Sequence, residues 1–325
     1  MLLYCFKIFE LPSISPFFRK YKKQLIKHLT EINIYVLGDV SKSTKIQKPT
    51  HFENAQITCN TGDQSMPCLK IEGVQVLMYD VTMVNGPENN GVGIKILGNT
   101  ELNIHNSKFT GFVVPVLEIE DDNHIEMYLS GIEMSNSLTP IHVVGCDRCK
   151  LVIENSYFHD NRNDRSGGAI VYKISDSLEI KSSRFINNSG KFGGAIRVYK
   201  SDFKISDSTF YNNKALIDGG ALYLDWPSQG STITSTKIEN NKAGVNGGGL
   251  WYKGFEEDTE TSKLNITSSS TLYGNTVTGR NKVNDIYCST ELGTDNSGFT
   301  YYTSLSLSII PPYVSGACPP PKILN

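Results

Sequence analysis

Tryptophan occurs only twice, and no run of apolar residues reaches the ~18 needed to span a bilayer as a helix. Neither sign of charge dominates. Thirty-three acidic residues face thirty-one basic ones, for a net charge of −2. Long-range electrostatics therefore favour neither nucleic acid nor an anionic membrane surface. No Gly-x-Ser-x-Gly, His-Glu-x-x-His or phosphate-cradling glycine loop occurs, and the six histidines at 28, 51, 105, 124, 142 and 159 are scattered. Helical spacing is also scarce. It is convincing only in Phe17–Thr30, where Phe18, Tyr21, Leu25, Ile26 and Leu29 share one face and lysines occupy the rest. Such a basic amphipathic helix suits a membrane surface or partner, or a cap on the open end of a stacked fold.

What the chain has instead is repetition. Leu151–Ile170, Leu178–Ile196, Phe203–Leu222 and Ser231–Leu250 share one template. It reads apolar–x–apolar–x–x–Ser/Thr–x–apolar–x–x–Asn, then a variable link and Gly-Gly-small-apolar. The closing residues Ile170, Ile196, Leu222 and Leu250 step by 26, 26 and 28. A looser version starts at Leu77, Leu102 and Ile125, and an eighth unit spans Leu264–Ile286. First positions from Leu77 to Phe203 step by 25, 23, 26, 27 and 25. A fixed period of this size marks a repeat architecture.

Within each unit the apolar residues alternate, which puts one set of side chains on one face of a strand. A unit this short cannot bury that face alone, so neighbours must stack. The expected fold is all-β, a parallel β-helix of about eight coils with rungs roughly 4.8 Å apart, and a short N-terminal helical cap. Residues 1–50 form the targeting or cap region. Residues 51–300 form the solenoid, and 301–325 a tail rich in Ser, Thr and Pro. Glu31–Leu37 reads as a strand, Gly38–Glu53 as a polar link, and Gly254–Lys263 as an acidic insertion between coils.

Two columns recur. Asn161, Asn188, Asn213 and Asn241 each follow an apolar anchor (Phe158, Phe185, Phe210 and Ile238) by three residues. Asparagine tolerates a left-handed corner, and stacked amides can bond up a column. The Gly-Gly pairs 167–168, 193–194, 219–220 and 247–248 mark a second corner, where the backbone turns with positive φ or packs closely. The phenylalanines should form one continuous internal pile.

The Phe-x-x-Asn and Gly-Gly-Ala-Ile signatures together resemble the repeats of the chlamydial polymorphic outer membrane protein family and related right-handed β-helix repeats of cell-surface proteins. The resemblance covers roughly 150–290. It implies a right-handed helix and a surface-exposed passenger or adhesion role. Thr290–Asn325 is too short for the transmembrane barrel of the outer-membrane members, so membrane contact is expected only through an anchor outside this sequence.

Seven cysteines are present. Setting aside Cys5 in the N-terminal segment, pairing by proximity gives Cys59–Cys68, Cys146–Cys149 and Cys288–Cys318, among the many pairings six cysteines allow. Such bonds belong to an oxidising compartment. A redox role for Cys146-x-x-Cys149 lacks a surrounding βαβ unit, and zinc with His142 lacks a fourth ligand at suitable spacing. Asn187-Asn188-Ser189 and Asn265-Ile266-Thr267 are sequons, with Asn187 and Asn265 on the outer face by alternation. Met1–Pro12 is not a clean secretory signal.

These features point to a non-catalytic, extracellular or cell-surface protein that meets an unknown protein or glycan through a β-face. Self-assembly by stacking of terminal coils is a variant. No catalytic residue, cofactor or metal is assigned, and no nucleic-acid partner. The competing reading is a polysaccharide lyase or glycoside hydrolase of the pectin-lyase-like class. Against it, Asp121–Asp122 is the only adjacent Asp pair, and Asp160, Asp164, Asp218 and Asp225 match no polygalacturonase or pectate lyase motif.

Overall fold

Alternating apolar residues in runs too short to bury themselves force strands to stack. In the computed structural model they do so around one continuous core. The structure describes residues 32–316 and Cys318, apart from 35–37, 41, 64, 121–122, 229, 255–263, 268, 279–281, 284, 290–298 and 301–313. Among the described residues there is no helix. The expected cap helix Phe17–Thr30, the Asp121–Asp122 pair and the acidic insertion beyond Gly254 lie outside them.

The strands fall on four faces, the fourth present only from Arg162–Asn163 onward among the described residues. The first and second faces form one 19-stranded sheet, because Ile141–Glu154, Ile170–Lys181 and Ile196–Ser206 run through the corner between them. The third face is a ten-stranded sheet from Gly38–Val40 to Thr271–Tyr273, and the fourth has six short strands. Eight strands of the third face match the eight expected coils. Two more, Gly38–Val40 and Gln56–Cys59, precede them. The stretch Gly38–Glu53 is therefore not a link but carries strands Gly38–Val40, Thr44–Ile46 and Thr50–Glu53. Ile32–Ile34 is a strand, as expected, paired in parallel with Thr50–Phe52. Among the described strands one pairing is antiparallel: Lys282–Val283 folds back on Thr276–Val277 and ends the fourth face.

The inward residues stack like on like. Phe158, Phe185 and Phe210 form one pile, with ring centroids 4.8 Å apart and planes within 5° and 6° of parallel. Beside them runs the asparagine column. Asn161, Asn188 and Asn213 each donate Nδ2–H to Oδ1 of the next asparagine at 3.0 Å, and also to a carbonyl of the preceding coil (Met134, Phe158 and Phe185 respectively). That Oδ1 accepts the backbone N–H of the residue below as well. Each amide is thus fully bonded out of water, the condition under which a buried polar group is tolerable. The column continues past the expected members to Asn275 and ends on the Asp285 carboxylate, which accepts Asn275 Nδ2–H at 2.7 Å. A second ladder joins the serines and threonines of the template: Ser156, Ser183 and Ser208 N–H groups donate to Oγ of Ser183, Ser208 and Thr236.

One sequence expectation shifts in register. The left-handed corner is taken by the residue before each ladder asparagine, at Asp160, Asn187, Asn212 and Asn240, while the ladder asparagine itself turns its amide inward. The glycine pair divides its labour. Gly193, Gly219 and Gly247 have φ of +71°, +68° and +59°, while a Cβ on Gly194 or Gly220 would collide with the carbonyl oxygen of Gly220 or Gly248 in the next coil.

Candidate functional site

The predicted ladder residues Phe158, Phe185, Phe210, Asn161, Asn188, Asn213 and Asn241 are all buried within the scaffold. The three cysteine pairs are formed: Cys59–Cys68, Cys146–Cys149 and Cys288–Cys318. Cys146 and Cys149 therefore offer no thiolate to a metal. Asn187 is exposed at its corner and accepts Asn212 Nδ2–H through Oδ1 at 2.7 Å. Asn265 is half-buried and pairs with Thr232 on the second face.

Function at the surface rests on the outward residues, which parallel register lines up from coil to coil. On the second face one row runs His51–Leu77–Asn103–Tyr128–Val152–Glu179. Beside it runs Glu53–Tyr79–His105–Ser130. The apolar–x–apolar template started at Leu77 places Leu77 and Tyr79 inward. The structure buries Val76 and Met78 instead, a slip of one residue that reverses both faces of the strand. The third early coil slips by two: Met127, not Ile125, pairs with Leu102, so its inward set is kept but displaced.

The two outward rows enclose a shallow groove of about 210 Å³ lined by Thr50, His51, Gln75, Leu77, Asn103 and His105. The His105 ring sits between Tyr79 and Tyr128, at centroid distances of 6.2 and 5.6 Å. Gln75 Nε2–H and Asn103 Nδ2–H both donate to Glu101, at 3.0 and 2.9 Å, which fixes how the two amides present their oxygens. Tyr79 is 41% exposed. Tyr128 donates to the Glu154 carboxylate at 2.8 Å, and that hydrogen bond raises its phenol pKa, so the ring stays neutral.

The first face carries a different row: Lys45–Lys70–Lys95–Glu118–His142–Val171–Arg197–Tyr223–Trp251. Lys95 Nζ lies 3.2 Å from Glu118 and 3.8 Å from Glu120. Donor atoms of Glu118, Glu120 and His142 all fall within 4.8 Å of one another, the one such group among the described residues. His142 Nδ1 is shut off from water and has no hydrogen-bond partner. Burial, outweighing the two glutamates, pushes the imidazole pKa down, so the ring is neutral near pH 7. Two carboxylates and a neutral imidazole can exchange protons or hold a cation. Further along, Tyr223 and Trp251 stack at 4.2 Å with planes 3° apart, but at 8% and 4% exposure they brace the face and offer no open ring.

None of these convergences is written in a local motif. Glu118 and His142 are 24 residues apart and meet only because adjacent coils align them. The one available signal was the outward parity of each strand, which needs the register to be right.

The family described as a right-handed β-helix region matches residues 90–256, and the chain belongs to it. Among curated proteins none matches. The β-helix fold serves structural proteins and pectin-lyase-like proteins alike, so the fold alone does not choose between them.

Proposed function

We propose that this chain is a non-catalytic, cell-surface or secreted β-helix that binds a glycan through the second face. The observation that carries the reading is the groove between His51 and His105, flanked by the open ring of Tyr79. Sugars are bound by flat apolar rings against their C–H faces and by fixed amides and imidazoles against their hydroxyls. This groove offers both, on rigid strands. The three disulfides fit an oxidising compartment, and an exposed Asn187 fits a glycoprotein. The polymorphic outer membrane protein resemblance supports the same adhesin-like role. The test is a glycan array with the wild-type chain, Tyr79→Ala and His105→Ala. Binding by wild type, weakened about tenfold or more in both variants, is expected for anchor residues. No retained glycan, or equal binding by all three, removes the reading.

The Glu118–Glu120–His142 group favours a second reading, a polysaccharide-cleaving enzyme. It requires turnover of an acidic or neutral polysaccharide that Glu118→Gln abolishes. Retention without turnover leaves the binding role.

A further inference from the structure

We propose that Glu118, Glu120 and His142 form a site for a divalent transition-metal ion of the zinc type. The site goes beyond the glycan groove, lies on a different face of the solenoid and does not depend on it.

Three observations converge. First, parallel pairing sets Glu118 directly opposite His142 on adjacent coils, and Glu120 follows two residues on, so three donors meet from two rungs. A tetrahedral Zn²⁺ with ligands at about 2.1 Å holds its donors about 3.4 Å apart. Donors already within 4.8 Å reach that spacing by small rotations of two glutamate side chains. Second, the two carboxylates already converge on a cation: both point Oε2 at the Lys95 ammonium, which is partly exposed and long enough to swing away. Third, His142 Nδ1 is sealed from water without a partner. A buried polar nitrogen left unbonded is costly, and ligation through Nδ1 would relieve it.

Donor chemistry selects the ion. Calcium and magnesium take all-oxygen shells. One imidazole with two carboxylates suits Zn²⁺, with three protein ligands and a fourth position left to water.

The experiment titrates Zn²⁺ into the metal-stripped, untagged full chain by calorimetry, with Co²⁺ absorption as a spectroscopic check on coordination. One ion per chain is expected. Glu118→Gln and His142→Asn should weaken binding about tenfold or more. Lys95→Met, which removes the competing ammonium and no ligand, should strengthen it. The same variant keeps the test open if a donor substitution fails to fold, as judged by far-ultraviolet circular dichroism. The proposal is overturned if neither wild type nor Lys95→Met binds Zn²⁺ stoichiometrically, or if the donor variants bind as wild type does. Ca²⁺ bound as tightly as Zn²⁺ overturns it too.

Discussion

Asn188 donates its Nδ2–H to Oδ1 of Asn213 at 3.0 Å, and Asn213 Oδ1 also takes the Asn188 backbone N–H at 2.9 Å. Asn213 in turn donates to Asn241 Oδ1 and to the Phe185 carbonyl. One side chain therefore bonds to four buried groups on the two neighbouring coils. Asn213→Ala leaves both Asn188 donors unpaired and removes one bond each from the Phe185 carbonyl and from Asn241 Oδ1, which keeps the backbone N–H of residue 213, and should cost about 3 kcal/mol or more. Asn213→Asp should cost at least as much, because a carboxylate accepts but cannot donate to Asn241 or Phe185. Urea unfolding followed by circular dichroism measures both. A loss under about 1 kcal/mol for either variant shows that the column's hydrogen bonds are not needed to keep its buried groups paired.

The disulfides should rank by the length of chain each closes. Cys288–Cys318 spans 30 residues, Cys59–Cys68 nine and Cys146–Cys149 three. Chain-entropy arguments give contributions of about 4, about 3 and about 2 kcal/mol in that order. Paired Cys→Ser variants, compared by urea midpoint, test the ranking. If the Cys146–Cys149 pair proves the largest, native-state packing at the corner of the long strands governs instead of the unfolded chain.

How far the sequence carried depended on which coils spoke clearly. From Leu151 to Leu250 the template specifies strand, corner and column together, and those coils sit where the period put them. Upstream, Val76-Leu77-Met78-Tyr79 offers two alternating sets of similar hydrophobicity, so polarity could not choose the inward one. Packing chose Val76 and Met78 because they continue beneath Leu102 and Ile104. Gly38–Glu53 lacked both the asparagine and the glycine pair, which hid its strands. The Glu118–Glu120–His142 group was illegible for another reason: it exists only in the register between coils, and no spacing along one coil announces it.

Two half-buried carboxyl groups should move stability in opposite directions with pH. Glu133 is held below its ordinary pKa first by the Lys108 ammonium at 2.6 Å and then by His159. Its stabilisation is present above the unfolded value of 4.5 and lost as pH falls through the lower folded value. Asp202 is pushed up, chiefly by burial. The native state holds its proton more tightly, so stability falls as pH rises from 3.8 through the raised folded value. Near pH 7, Asp202→Asn should therefore raise the urea midpoint and Glu133→Gln should lower it. Equal shifts of one sign across pH 3 to 7 would show that neither shift is coupled to folding.

Two glycines separate steric closeness from backbone freedom. Gly220 has no positive φ, but a Cβ there would collide with the Gly248 carbonyl oxygen and press on Lys242. Gly73 has φ of +65° and nothing within 4 Å of the added carbon. Gly73→Ala should therefore cost about 1 kcal/mol, the ordinary penalty of a left-handed alanine. Gly220→Ala must push two coils apart at a point where Gly194, Gly220 and Gly248 stack without side chains, a strain of several kcal/mol by analogy with overpacked cores. Urea unfolding of the two variants side by side distinguishes the causes. If Gly220→Ala is as mild as Gly73→Ala, the coils have slack at that corner, and the recurring second glycine answers to something other than the approach of neighbouring backbones.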